Sequence, residues 1–160
     1  MIILKDEISS QENMEAWLSQ LGHPDNPISN KGVLVHLKPR FVSCDFENRD
    51  ACIAFDVLDW ELNPGGTLHG GIIVTGFDVA FGLTCHYYAK QHMISTVNLT
   101  TTFLKPILPG DTVNYHVHIT SLGRTLISMT AEARLSRNNI LAATATSTFM
   151  KLDKTFEQPI

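Results

Sequence analysis

The stretch from Gly70 to Tyr88, Gly-Gly-Ile-Ile-Val-Thr-Gly-Phe-Asp-Val-Ala-Phe-Gly-Leu-Thr-Cys-His-Tyr-Tyr, constrains this chain more than any other feature. It is long, apolar almost throughout, and carries Asp78 as its only acidic residue. Its length favours a helix over a strand, although Gly76 and Gly82 weaken the intrinsic propensity. A helix that is apolar on nearly every side has to be buried. The remainder of the chain must therefore supply a cover for it.

That cover reads as β-structure. Phe41–Phe46 and Ala51–Leu58 flank the polar turn Glu47-Asn-Arg-Asp50 and form a strand pair. Residues 59–69 form an irregular loop with Asn-Pro and Gly-Gly. Beyond the helix, segments near 94–104, 112–122, 125–135 and 140–152 are rich in Thr and Val, residues that suit a pleated sheet. Pro109-Gly110-Asp111, Leu122-Gly-Arg124 and Ser136-Arg-Asn-Asn139 supply the turns, and their short lengths predict four consecutive antiparallel neighbours. A sheet wrapping one helix buries it most simply, which predicts an α+β architecture. Upstream, residues 9–21 read as a short amphipathic helix with Ser9 or Ser10 as cap, a stripe of Met14, Trp17, Leu18 and Leu21, and Gly22, Pro24 and Pro27 as its end.

Composition excludes several classes. The chain has 160 residues, enough for one domain with one core, and a net charge of −4 without runs of basic residues, so no nucleic-acid partner is expected. No apolar run approaches the roughly 18 residues of a membrane span, and the N-terminus turns acidic before a signal-peptide core forms. Cys44, Cys52 and Cys85 are odd in number and lack CxxC spacing, which argues against a disulfide framework or zinc knuckle and suits a reducing, cytoplasmic setting.

The chemistry concentrates at the helix. A carboxylate within an apolar helix is costly without partners, so Asp78 is either a structural group bonded to a neighbour or a reactive one. Leu68-His69-Gly70-Gly71 places small residues where the first unpaired helical N–H groups emerge. Those donors suit a carbonyl oxygen that gains negative charge, or they merely begin a helix. The loop is not a phosphate-binding one, since Gly71 stands where lysine belongs. Gly70 and Asp78 are eight residues apart, about 12 Å along a helix, and diverge around its axis. One carbonyl can hardly touch both within one subunit. A shared site thus requires Gly70 of one chain near Asp78 of another, which predicts a two-fold dimer with two composite sites.

Other constellations are weaker. No Gly-x-Ser-x-Gly elbow occurs. His116 and His118 share a strand face but lack a convincing third ligand, so no metal site is expected. Cys85 and His86 are adjacent on the helix and point apart. Phe77, Phe81, Tyr87 and Tyr88 read as core and dimer packing, with some of them available to line an acyl tunnel.

The run Asn63-Pro-Gly-Gly-Thr-Leu-His-Gly-Gly71, with Asp78 seven residues on, resembles the signature of the PaaI-like hotdog thioesterases. Ser95-Thr-Val-Asn-Leu99, Phe103-Leu-Lys-Pro106, Pro109-Gly-Asp111, Gly123-Arg124 and Ala143-Thr-Ala-Thr146 extend the resemblance over roughly residues 35–152. It implies a hotdog fold, an antiparallel sheet wrapped around a long central helix, in a domain spanning 33–152 between an N-terminal helical extension (1–32) and a C-terminal tail (153–160). It also implies an acyl-CoA thioesterase that needs no cofactor, coenzyme A being part of the substrate, in a homodimer or dimer of dimers. Asn63 and the Gly70 N–H would bind the thioester carbonyl, while His69 would shape the turn. Asp78 would act as general base or nucleophile, and Thr96 would position the water. Asn98 stands where the family often has Asp. Arg124 is a candidate contact for a coenzyme A phosphate. A hotdog hydratase or dehydratase and a non-catalytic acyl-CoA-binding module are the alternatives; Asn63 speaks against the first, and the four residues Asn63, Gly70, Asp78 and Thr96 together speak against the second.

Overall fold

The computed structural model describes residues 9–21, 23, 26 and 31–155. Ser10 starts helix α1 (Gln11–Leu18) by accepting a hydrogen bond from the Asn13 N–H at 3.1 Å. Met14 and Leu18 of this helix are fully buried. Tyr87 Oη donates to Asn13 Oδ1 at 2.9 Å, and Gln11 Nε2 donates to the Cys44 carbonyl at 2.9 Å, so the described part of the N-terminal extension is packed into the main core. The N-terminal residues 1–8 and the residues expected to end this helix, Gly22, Pro24 and Pro27, lie outside the described residues, as do 156–160.

A five-residue helix α2 (Val33–Leu37) follows, which no periodicity announced. Strands β1 (Arg40–Asp45) and β2 (Asp50–Asp56) form the expected hairpin. Asp45 sets the turn by accepting from both the Asn48 N–H and its Nδ2. The long apolar stretch is helix α3 (Gly70–Ala89), with twelve of its twenty residues buried. Of the eight positions left open or partly open, Gly71, Val74, Thr75, Asp78 and Gly82 lie on one side of the helix. They form one uncovered stripe.

The sheet continues with β3 (His92–Phe103), β4 (Thr112–Leu122), β5 (Leu126–Leu135) and β6 (Leu141–Thr155). Its order is β1-β2-β4-β5-β6-β3, and every pairing is antiparallel. The expected row of four consecutive neighbours is corrected here. β4, β5 and β6 are consecutive neighbours, but β3 pairs with β6 at the sheet edge and β4 pairs with β2. The connection 104–111 does not turn back on itself. It crosses three strand spacings, about 14 Å, well within the reach of eight residues. On the way the Ile107 carbonyl accepts from the Leu68 N–H and the Asp111 carbonyl accepts from the Val57 N–H, both at 2.9 Å. The crossing is thereby tied to the loop that leads into α3.

One sheet face carries Val113, Tyr115, Val117, Ile127, Met129, Ala131 and Phe149 against Phe77, Ala80 and Phe81 of α3. The residues between them face away and are polar, as the period of two requires. This is the hotdog architecture the resemblance implied.

Candidate active site

Asn63 organises the loop before α3. Its Oδ1 accepts from the Gly65 N–H at 2.9 Å and the Thr67 N–H at 3.3 Å, and its Nδ2 donates to Thr67 Oγ1 at 2.9 Å. The Asn63 N–H donates to the Thr67 carbonyl at 2.8 Å. The side-chain oxygen is thus used by the loop, and one amide proton remains to meet a ligand.

His69 is the N-cap of α3. Its Nδ1 accepts from the Gly71 N–H at 2.9 Å, which places the proton of a neutral ring on Nε2. Its carbonyl takes the Ile72 and Ile73 N–H groups at 2.9 and 3.1 Å. Of the four amides that open an α-helix without internal partners, Gly71, Ile72 and Ile73 are therefore satisfied. The Gly70 N–H alone has no acceptor among the described residues. It carries the positive end of a twenty-residue helix, the place where developing negative charge is best stabilised. A Cβ on Gly70 would lie 3.4 Å from the Phe103 ring, so that ring sits beside the amide.

Asp78 lies on the open stripe of α3 and is only partly buried. Its Oδ1 accepts from Thr96 Oγ1 at 2.9 Å. Thr96 owes that position to a β-bulge: the pairing with β6 slips between Thr96 and Asn98, from Thr96↔Phe149 to Asn98↔Thr148. The extra residue re-aims the side chain toward the helix. Asn98 is spent on the sheet, its Oδ1 accepting from the Thr148 N–H and its carbonyl from Ser147 Oγ.

The structure therefore makes two groups from the expected residues. Asn63, His69 and Gly70 meet at the start of α3 beside Phe103, while Asp78 and Thr96 meet halfway along the helix. Thr96 and Phe103 are seven residues apart on one strand, about 20 Å. The ladder Ile127–Phe149–Thr96 places the β4–β5 turn, with exposed Arg124, at the Thr96 end of the sheet.

Two residues escaped the sequence reading. Glu61 is 3% exposed, its Oε2 accepts from the Leu58 N–H at 2.9 Å, and its carbonyl accepts from the His69 N–H. Burial pushes its carboxyl above the ordinary range against that bond. An acidic residue between Trp60 and Leu62 was the only available signal. Phe103 appeared in the resemblance but not as the neighbour of Gly70.

The remaining candidates are elsewhere. His116 and His118 face away from α3, where a concavity of about 850 Å³ also holds Asp50, Cys52 and Glu132. His118 Nδ1 is bonded to Asp50 Oδ1, and among the described residues no three such side chains are placed to hold a metal ion. Burial pushes the Cys85 thiol up to about 12, and His86 stacks on Trp17 at 5.7 Å, so the two do not form a nucleophile pair. Phe77, Phe81 and Tyr87 are core residues.

Residues 65–142 match the sequence profile of the thioesterase superfamily. A candidate esterase of Pseudomonas aeruginosa is 29% identical over 125 residues, 77% of this chain and 91% of that protein. A candidate esterase of Caenorhabditis elegans is 30% identical over 82 residues, 51% of this chain; the match spans about half of that relative, 48% of its length. Among solved structures, the Escherichia coli PaaI protein from the phenylacetic acid degradation operon superposes with a TM-score of 0.74 at 18% identity, covering 91% of this chain and 99% of that one. A Streptococcus mutans protein bound to acetyl-CoA superposes with a TM-score of 0.63 at 26% identity, covering 72% and 91%. The matched profile runs from Gly65 through Asp78 to Ala142, so over this stretch the chain is similar to the thioesterase superfamily, and its fold is the hotdog fold of the PaaI structure.

Proposed function

We propose that this protein hydrolyses an acyl-CoA thioester to a free acid and coenzyme A, at a site completed by a second copy of the chain. The observation that carries the reading is the distribution of unspent groups on α3: one free amide at Gly70, and one carboxylate at Asp78 held by Thr96 on an open stripe. The S. mutans relative bound to acetyl-CoA supports the ligand class.

The two groups are too far apart in one chain, and β3 is a sheet edge with an unpaired side. A two-fold axis through Thr100 would pair the β3 edges of two copies, with Leu99 facing Thr101 of the partner subunit. Allowing for the bulge, Thr96 would then face Phe103 of the partner subunit. Asp78 beside Thr96 would thereby approach the partner's Gly70.

At such a site the Gly70 N–H and the remaining Asn63 amide proton bind the thioester oxygen. His69 holds the turn. Asp78 takes a proton from water as the water oxygen bonds to the carbonyl carbon, or its carboxylate attacks that carbon itself to give a mixed anhydride that water hydrolyses after the thiolate has left, restoring Asp78. The C–S bond then breaks, and the departing thiolate takes up a proton. Arg124 contacts a coenzyme A phosphate. The reaction draws on these side chains, and coenzyme A enters as part of the substrate. None of the described helices is long and apolar enough to cross a membrane.

The test is complementation. Gly70→Pro and Asp78→Asn chains should each release almost no thiol from acyl-CoA. Co-expressed in equal amounts, half of the dimers are mixed and each regains one intact site of two, so activity should recover to about one quarter of wild type. A co-expressed pair as inactive as its parents would refute the composite site, and an Asp78→Asn chain with full activity would refute the mechanism.

A further inference from the structure

We infer that Lys151 is a further positioning residue: it clamps the turn that carries Arg124, so that the Arg124 guanidinium holds a phosphate and hydrolysis favours coenzyme A thioesters over thioesters without a nucleotide. The inference rests on the proposed hydrolysis and names a residue which that reading does not use.

The turn between β4 and β5 is held by a residue of a third strand. The Gly123 N–H donates to the Leu126 carbonyl at 2.9 Å. Lys151 of β6 supplies two further bonds. Its backbone N–H donates to the Thr125 carbonyl at 2.8 Å, and its Nζ donates to the Gly123 carbonyl at 3.1 Å. Arg124 stands between those two carbonyls, so one lysine fixes the backbone on both sides of it. An arginine on a loose hairpin turn has to be ordered when it binds an anion, and a fixed turn has done part of that ordering in advance.

Charge points to the ligand. Arg40, Arg134 and Arg137 each meet a carboxylate. Arg124 is exposed and has neither a hydrogen bond nor a carboxylate partner among the described residues. The half-buried Lys151 ammonium likewise has no carboxylate within ion-pair distance among them. Two unmatched cations at one corner of the sheet attract an anion, although the chain as a whole carries a net charge of −4. Position fits a phosphate of the leaving group. The Ile127–Phe149–Thr96 row spans two strand spacings, and Arg124 is three residues before Ile127. The turn therefore lies about 14 Å from Thr96 of the same chain, and Thr96 is bonded to Asp78. A thioester that reacts at Asp78 extends its pantetheine arm over a span of that order, and coenzyme A carries its phosphates at the far end of the arm. Lys151 meets neither the thioester nor the water; it presents Arg124 to the phosphate.

The inference is tested on the full-length protein by thiol release from one acyl group on two carriers, coenzyme A and pantetheine. Wild type should have a KM for acyl-CoA roughly tenfold or more below that for acyl-pantetheine, the size of a charge-assisted phosphate contact. Lys151→Met should raise the KM for acyl-CoA roughly tenfold and leave kcat, and the KM for acyl-pantetheine, within about twofold. Lys151→Arg, which can still donate to the Gly123 carbonyl, should recover most of the discrimination. Because Lys151 acts through Arg124, Lys151→Met combined with Arg124→Gln should raise the KM for acyl-CoA by less than the product of the two single effects. Equal KM values for the two carriers in wild type would overturn the inference. So would a Lys151→Met effect shared by both carriers or confined to kcat, which would make the clamp merely structural, and so would fully multiplicative effects in the double variant. These results leave the proposed hydrolysis standing wherever the wild type releases thiol and Asp78→Asn does not; a wild type that releases none from either carrier removes both readings.

Discussion

The Gly70 amide can be deleted almost without touching the fold, which makes Gly70→Pro the most searching substitution in this protein. Proline is well accommodated at the first position of a helix, because the N–H it lacks has no helical partner there. The residue before it must be extended, and His69 already is, with φ −64° and ψ 134°. A Cβ at this position meets the Phe103 ring at 3.4 Å, an ordinary contact. Restricting the unfolded chain should even favour folding by up to about 1 kcal/mol. Activity should respond quite differently. If this amide holds the developing oxyanion, its loss costs about 3–4 kcal/mol of transition-state stabilisation, or roughly 10²–10³ in kcat. Gly70→Ala is the control, since it adds the same first carbon against Phe103 but keeps the N–H. Thiol release at saturating acyl-CoA and thermal unfolding, measured on both variants, separate the effects. The reasoning fails if Gly70→Pro retains kcat within a few-fold, or if Gly70→Ala loses as much, which would make space rather than the N–H the cause.

Two further expectations concern stability. A Cβ on Gly76 would come within 2.5 Å of Tyr115 Oη and 2.6 Å of its Cζ. Tyr115 cannot move aside, being 2% exposed and flanked by Phe55 and Phe77 at ring distances of 5.2 and 4.8 Å. Gly76→Ala should therefore lose about 2 kcal/mol net, overpacking outweighing the gain in helix propensity, and thermal unfolding should fall by about 4–8 °C; an unchanged melting temperature contradicts this. At Asp111, burial pushes the carboxyl up, but the Leu108 N–H and Arg137 outweigh it and hold the group below its ordinary value of 3.8. A depressed carboxylate stabilises the fold above that ordinary value, and this contribution is lost as pH falls through the folded-state value. Asp111→Asn should thus be clearly less stable than wild type at neutral pH, with the gap closing at pH values below 3.8; a gap that is independent of pH in denaturant titrations contradicts it.

Much of this was legible because it depends on neighbours in sequence. The span of α3 follows from an apolar run too long for a strand; four of the six strand positions follow from Thr and Val between turn residues, and the other two from the runs that flank the polar turn 47–50. The loop Asn63–Gly71 was readable as a unit because its bonds close within a few residues: Asn63 to Gly65 and Thr67, His69 to Gly71. The dimer expectation also came from helix geometry alone.

The remainder depended on contacts between segments distant in sequence. Short turns suggested that β3 and β4 were neighbours, yet the 104–111 connection is held to Leu68 and Val57, and that anchoring sends β4 across to β2. Turn residues report that the chain bends, not what it then crosses. The apolar residues around Asp78 left open whether it is a structural group or a reactive one. Which side of an apolar helix stays open is decided by where the sheet ends, and β3 ends it beside Asp78. The bulge that turns Thr96 inward, and the ring of Phe103 against Gly70, likewise have no local sequence signal. The sequence by itself pointed to the groups proposed to do the chemistry and to their separation along one helix. Only the tertiary structure decided that β3, which carries Thr96 and Phe103, ends the sheet, because an edge is a property of the assembled sheet.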